Sequence, residues 1–143
     1  TYLTFSSHTA YNRIGIWEWG TKRNVAEHPW FGIGFNEWVR ASWMSSSVDN
    51  FWLVNMMQFG LPAFFFLATA ILWLLYQVGK HRSASTVQER IRIGWIFSMI
   101  GLIVAGGTVH FWNNLYSWFF FMLGSGVWLM MLDSAQDNPH DRK

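Results

Sequence analysis

The chain has 143 residues, 52% of them hydrophobic and only 13% charged, against roughly 25% charged in an ordinary soluble domain. Eleven Trp and thirteen Phe are more than one water-soluble core of this length covers, so the composition points to a chain that meets lipid. Ten Lys and Arg against eight Asp and Glu leave a formal charge of +2, which makes no case for nucleic acid. The absence of Cys excludes disulfides, thiolate metal sites and a Cys nucleophile.

The chain opens on Thr1 with no charged segment leading into an apolar one, and reads as a processed chain or the C-terminal piece of something longer. Residues 1–50 mix aromatics with charges of both signs and hold no stretch apolar enough to span a bilayer. A helix is expected over residues 10–26, where Tyr11, Ile14 and Trp17 recur at three-residue spacing before Gly20 and the basic pair Lys22-Arg23. His28-Pro29 ends it, because the residue before proline is pushed out of the helical region. Gly32-Ile33-Gly34 reads as a tight turn or a close backbone approach. Residues 36–44 are expected to form a short helix lying on the membrane, with Trp38 and Trp43 at headgroup level. Ser45-Ser46-Ser47 then reads as a linker, and Asp49 as the N-cap of the first long apolar helix.

From Phe51 onward the character changes. Three apolar runs, at about 51–78, 93–111 and 115–132, contain no Lys, Arg, Asp or Glu. Each holds at least about 18 residues, enough at roughly 1.5 Å per residue to approach the ~30 Å of a hydrocarbon core. Backbone groups in lipid must be satisfied within the segment, so each run should be a helix. The fold expected is an all-α membrane protein, a periplasmic helical loop region followed by three transmembrane helices. Residues 79–92 carry Lys80, Arg82, Arg90 and Arg92 against a single Glu89, which places that loop in the cytoplasm. The uncharged tip at 112–114 and residues 1–50 then lie outside, and the tail at 133–143, polar and disordered near its end, lies inside.

The five histidines, His8, His28, His81, His110 and His140, are too scattered for a zinc motif, and no metal is expected. Gly32-x-Gly34 lacks the third glycine of a dinucleotide fingerprint, and Gly124-Ser125-Gly126, inside a membrane run, suits close helix packing. What remains is a polar set on the outer side: Arg13, Arg23, Arg40, Asp49, Asn50, Asn55, Gln58, His110, Asn113 and Asn114. An arginine fork suits phosphate oxygens, and an interfacial carboxylate suits proton abstraction from a hydroxyl. Together they fit a lipid-linked diphosphate leaving group and an acceptor alcohol. Each also has a plainer reading: Arg13 as a solvated charge beside Glu18, Asp49 as a cap, Arg23 and Arg40 as headgroup anchors, His110 as an interfacial histidine. Spacing alone does not bring them together.

Taken in order, Arg13-Ile14-Gly15-Ile16-Trp17, His28-Pro29-Trp30-Phe31-Gly32-Ile33-Gly34-Phe35, Ser47-Val48-Asp49-Asn50-Phe51-Trp52-Leu53 and Gln58-Phe59-Gly60-Leu61-Pro62 resemble the C-terminal part of the bacterial O-antigen ligase and polymerase family. The resemblance covers residues 10–78, and the later spans by topology only. It implies a multi-pass inner-membrane glycosyltransferase, a polymerase or ligase moving a glycan from undecaprenyl diphosphate to an acceptor glycan or lipid A-core, without metal or other cofactor. By resemblance Arg13 holds the diphosphate, while Asp49 stands where the family usually has a histidine that activates the acceptor hydroxyl. Arg23, Arg40, Asn50 and His110 are the accompanying substrate-binding candidates, and further transmembrane helices would complete the protein. The rival reading is a non-enzymatic membrane subunit that binds a partner through its outer loop, distinguished by the number of spans in the full-length gene.

Overall fold

The computed structural model describes residues 7–80 and 85–136, with side chains from Tyr11 to Met131 outside the 81–84 gap. His81, Arg82, His140 and the tail beyond Gln136 lie outside the described residues, as does the side chain of His8. The order is α1 (Ser7–Trp19), a π-helical turn over Gly20–Val25, α2 (Phe51–Lys80), α3 (Thr86–Gly106) and α4 (Asn113–Gln136), with no strand among the described residues. The fold is all-helical. Two compact units are formed: Thr1–Leu67 with Gly106–His110, and Ala68–Ala105 with Phe111–Lys143.

In the first unit α1 widens into its π-turn, closed by Ala26 N–H donating to Thr21 O at 2.9 Å. Asn24 makes this turn structural. Only 1% exposed, it donates from Nδ2 to Trp19 O and to Val39 O, and its Oδ1 accepts from Val39 N–H at 2.8 Å. The Val39 amide thus finds its partners in a side chain rather than in a helix. That is why the short helix expected at 36–44 is absent, the segment running without regular structure instead. Trp38 is 7% exposed with its indole N–H on Ser46 O, so it belongs to the core and not to a headgroup belt. Around it pack Val25, Met44, Val48, Leu53, Val54 and Met57. Asn24→Ala removes three hydrogen bonds and strands a buried amide, so a loss of about 2–4 kcal/mol is expected in the unfolding free energy. An unchanged unfolding midpoint would show that the clamp contributes nothing.

The cap of α2 is Asn50 rather than Asp49. Its Oδ1 accepts the Leu53 N–H at 2.8 Å, the third-residue bond of an N-cap, while its Nδ2 donates to Gly107 O at 2.7 Å. Both residue types cap well; the adjacent 106–110 segment, which also receives the Phe51 N–H at Val109 O, selects Asn50 because an amide can serve both sides.

α2 is broken at Gly60, with φ +81° and ψ 174°, a region essentially reserved for glycine. The broken backbone is satisfied by the loop at 29–34. Ile33 and Gly34 N–H donate to Met57 O and Gln58 O at 2.7 and 3.1 Å, and Leu61 N–H donates to Pro29 O at 2.8 Å. Pro62, just after the break, sits in a first turn, where its missing N–H costs no helical bond. Contact is so close that a Cβ on Gly32 would lie 2.5 Å from the Gln58 carbonyl, and one on Gly60 would overlap Trp30 O. The Gly-Ile-Gly turn is therefore a clasp on a broken helix.

In the second unit Arg92 joins the end of α2 to the start of α3. Its Nη1 donates to Val78 O and Gly79 O at 2.9 and 3.0 Å, and its Nε and Nη2 hold both Glu89 oxygens. Residues 86–92 accordingly belong to α3, not to the connecting loop expected there. Trp95 donates to Met122 O and Ser125 Oγ on α4, and its ring occupies the place of a Gly126 Cβ, whereas Gly124 faces open space. Among the described residues one helix, α2, is long and apolar enough by length and composition to cross a membrane, and only 17% of its most apolar window is buried. α3 carries Glu89, Arg90 and Arg92 in its first two turns.

Candidate functional site

Within 44–50, Met44, Val48 and Asn50 are buried, whereas Ser45, Ser46 and Asp49 are exposed. Met44 and Val48 are held by the core, and Ser45, Ser47 and Asp49 form a wall. Ser47 N–H donates to Ser45 Oγ at 3.1 Å, and Ser47 Oγ donates to Asp49 Oδ1 at 2.9 Å, which fixes the carboxylate. Facing this wall is α1, whose Asn12 and Ile16 lie one turn apart on the same side as Arg13. Between them is a cleft of about 170 Å³ lined by Asn12, Arg13, Ile16, Met44, Ser45, Ser47 and Asp49. Tyr11 and Trp43 meet beside it, ring centroids 6.1 Å apart, tying α1 to the opposite wall.

The two residues singled out for chemistry therefore share one cleft. Among the described residues Arg13 enters no ion pair; Glu18, its expected neighbour, holds Lys22 at 2.7 Å instead, and that ammonium keeps the Glu18 carboxyl below its usual range. His110, beyond the end of α3, is held below the ordinary histidine range by burial, an effect partly opposed by the Asp49 charge. The direction of the shift has two consequences. A histidine that resists protonation when folded stabilises the protein above about pH 6.5 and loses that contribution as pH falls through that range. And in Asp49→Asn the opposing charge is gone, so the His110 titration, followed by its ring protons in NMR, is expected to move further down; an upward move would contradict the placement of Asp49.

The other candidates separate. Arg23 lies over the Trp19 ring at 5.8 Å and lines a different hollow of about 290 Å³ with Glu27, His28, Asn36 and Glu37. Arg40 donates to Glu37 Oε2 at 3.4 Å and Trp38 O at 3.5 Å and does not line the cleft. Asn50 is 3% exposed with both ends of its amide bonded to backbone, which makes it a cap and a tether. Asn55 donates to Phe51 O within its own helix.

Asn12, Ser45 and Ser47 line the cleft without having been singled out in the sequence, where the three serines read as a linker. Nothing in the serine run marks them; the place of Ser45 and Ser47 follows from the burial of Met44 and Val48 on either side. Among the described residues no three His, Asp or Glu side chains are grouped as metal ligands. No family model, curated protein or solved structure matches the chain.

Proposed function

We propose that the chain is the C-terminal portion of a bacterial inner-membrane glycosyltransferase, an O-antigen or exopolysaccharide polymerase or ligase, that moves a glycan from undecaprenyl diphosphate to an acceptor sugar hydroxyl. The observation that carries this reading is that Arg13 and Asp49, remote in sequence, line the same cleft. In the proposed arrangement α2, α3 and α4, of 30, 21 and 24 residues, all cross the bilayer. At roughly 1.5 Å per residue each can traverse a core of about 30 Å. Lys80, Arg90 and Arg92 then mark the cytoplasmic side, and residues 1–50, which supply the cleft, lie in the periplasm, where lipid-linked glycans are assembled into polymer.

The proposed reaction is a single displacement at the anomeric carbon. The acceptor oxygen forms the new bond as the bond to the diphosphate oxygen breaks. The acceptor proton passes to the Asp49 carboxylate, and the electron pair leaves with the polyprenyl diphosphate, whose growing charge the Arg13 guanidinium offsets. Ser47 keeps the carboxylate oriented through Oδ1. A carboxylate in place of imidazole adds negative charge near the diphosphate, which raises the demand on Arg13. The test is a polymer-ladder assay in a deletion strain complemented with Arg13→Ala or Asp49→Asn at wild-type membrane levels. Loss of the ladder supports the reading, and a normal ladder from both overturns it.

A further inference from the structure

The loop at 29–35 presents a paradox: its backbone is bound tightly to α2, yet its large side chains are bare. Trp30 is 71% exposed, Phe31 90% and Phe35 87%, and Phe35 packs edge-on against Phe59, itself exposed, with centroids 6.1 Å apart. A soluble surface seldom gathers so many large apolar groups without something to cover them. The position of the loop says what that is. Pro29, Ile33 and Gly34 bond to the two sides of the Gly60 break, and the uncharged run after the break, 61–78, is about 18 residues or roughly 27 Å long, close to one hydrocarbon thickness. The break therefore falls where hydrocarbon gives way to headgroups. Non-helical backbone there is tolerable only with its polar groups satisfied, which is what the clasp achieves.

The geometry points to the 29–35 loop as an interfacial wedge, with Trp30, Phe31 and Phe35 seated in the outer leaflet around the head of α2. The partner is the lipid surface. Glu27 and His28 precede the uncharged stretch and Asn36 and Glu37 come after it, so polar flanks bracket an aromatic tip, the distribution that favours an interfacial position. The clasp gives the wedge a fixed depth, since the same three hydrogen bonds that close the helix break hold the loop to it. The inference rests on the proposed membrane crossing of α2 and extends it: the outer unit would be pinned to the bilayer by this loop, in place of the helix at 36–44 expected from the sequence.

Because the chain has no Cys, single nitroxide labels can be placed without background. Labels at Phe31→Cys and Phe35→Cys, in the full chain reconstituted in phosphatidylethanolamine–phosphatidylglycerol vesicles, are compared with Leu72→Cys on the exposed face of α2 and with exposed Glu37→Cys. The readout is collision with oxygen, which concentrates in lipid, against a water-soluble nickel chelate. The expected result is an oxygen-to-nickel ratio at 31 and 35 several-fold above that at 37 and approaching that at 72. A ratio at 31 and 35 equal to that at 37 places the loop in water and overturns the wedge. Low accessibility to both reagents means protein covers the loop and overturns it equally. A water-like ratio at 72 would instead sink the membrane crossing of α2 itself, so the two failures are distinguishable.

Discussion

Gly60→Ala is expected to cost the protein about 3–5 kcal/mol, a severe loss for the addition of one methyl group. Two penalties coincide. At φ +81° and ψ 174° an L-residue is in a region that essentially only glycine occupies, and the added Cβ would overlap the Trp30 carbonyl, which is backbone and has no rotamer to change. Relief requires the 29–34 loop to lift from α2, and lifting it exposes the Met57, Gln58 and Leu61 backbone groups that the loop satisfies. The control is Gly34→Ala. Its φ of +66° is also left-handed, but nothing lies within 4 Å of the new methyl, so only the backbone strain of roughly 1–2 kcal/mol is expected. Unfolding midpoints in detergent compare the pair. Equal effects would mean the loop does not press on the helix break.

The same clasp shows what a sequence reading reaches and where it stops. Glycines spaced as Gly32-Ile33-Gly34 announce positive φ or a close approach, and both occur. That the approach is to a break in α2 was not legible, because Met57, Gln58 and Leu61 offer backbone atoms, which leave no trace in side-chain identity. The helix expected at 36–44 failed for a related reason. Its aromatic spacing suits an amphipathic helix, but the Val39 amide is taken by Asn24 from the π-turn, and a distant side chain outweighs local periodicity. At the start of α2 two good capping residues stand side by side, and the choice of Asn50 depends on Gly107 and Val109 from the far end of α3.

The apolar runs were the plainest signal, and each lies largely within a helix, though charge-free stretches mark apolarity and not helix ends. α3 starts earlier, at Thr86, because Arg92 and Glu89 form an ion pair within a helical turn and Arg92 reaches the last carbonyls of α2. It ends earlier too, at Gly106, where a second glycine comes next. Of the candidate site, the Arg13–Asp49 pair meets in one cleft, whereas Arg23 lies beyond a change of helical pitch that turns it toward another hollow. Helical periodicity carried through the 10–26 segment at 3.6 residues per turn does not anticipate that π-turn.

Within the proposed reaction, Arg13→Ala is expected to slow polymer formation by about 10²–10³, the scale of losing one preorganised group that stabilises developing negative charge. Asp49→Asn is expected to cost about 10²–10⁴, the range attributed to a positioned general base. Neither change should unsettle the fold: Arg13 enters no ion pair among the described residues, and the amide oxygen introduced by Asp49→Asn can still accept the Ser47 hydroxyl. Thermal midpoints within a degree or two of wild type would therefore assign the losses to chemistry. Arg13→Lys separates phosphate recognition from simple headgroup anchoring. A lysine retains the charge but not the planar fork, so it should recover only part of the activity if two diphosphate oxygens are gripped at once, and nearly all of it if the residue merely snorkels to the bilayer surface. The double variant carries the sharpest expectation. Groups that act on one transition state are not additive, so Arg13→Ala with Asp49→Asn should be scarcely slower than the worse single variant. Rates that multiply instead would mean that the two side chains act independently, and the cleft would then lose its role as a single cooperative centre.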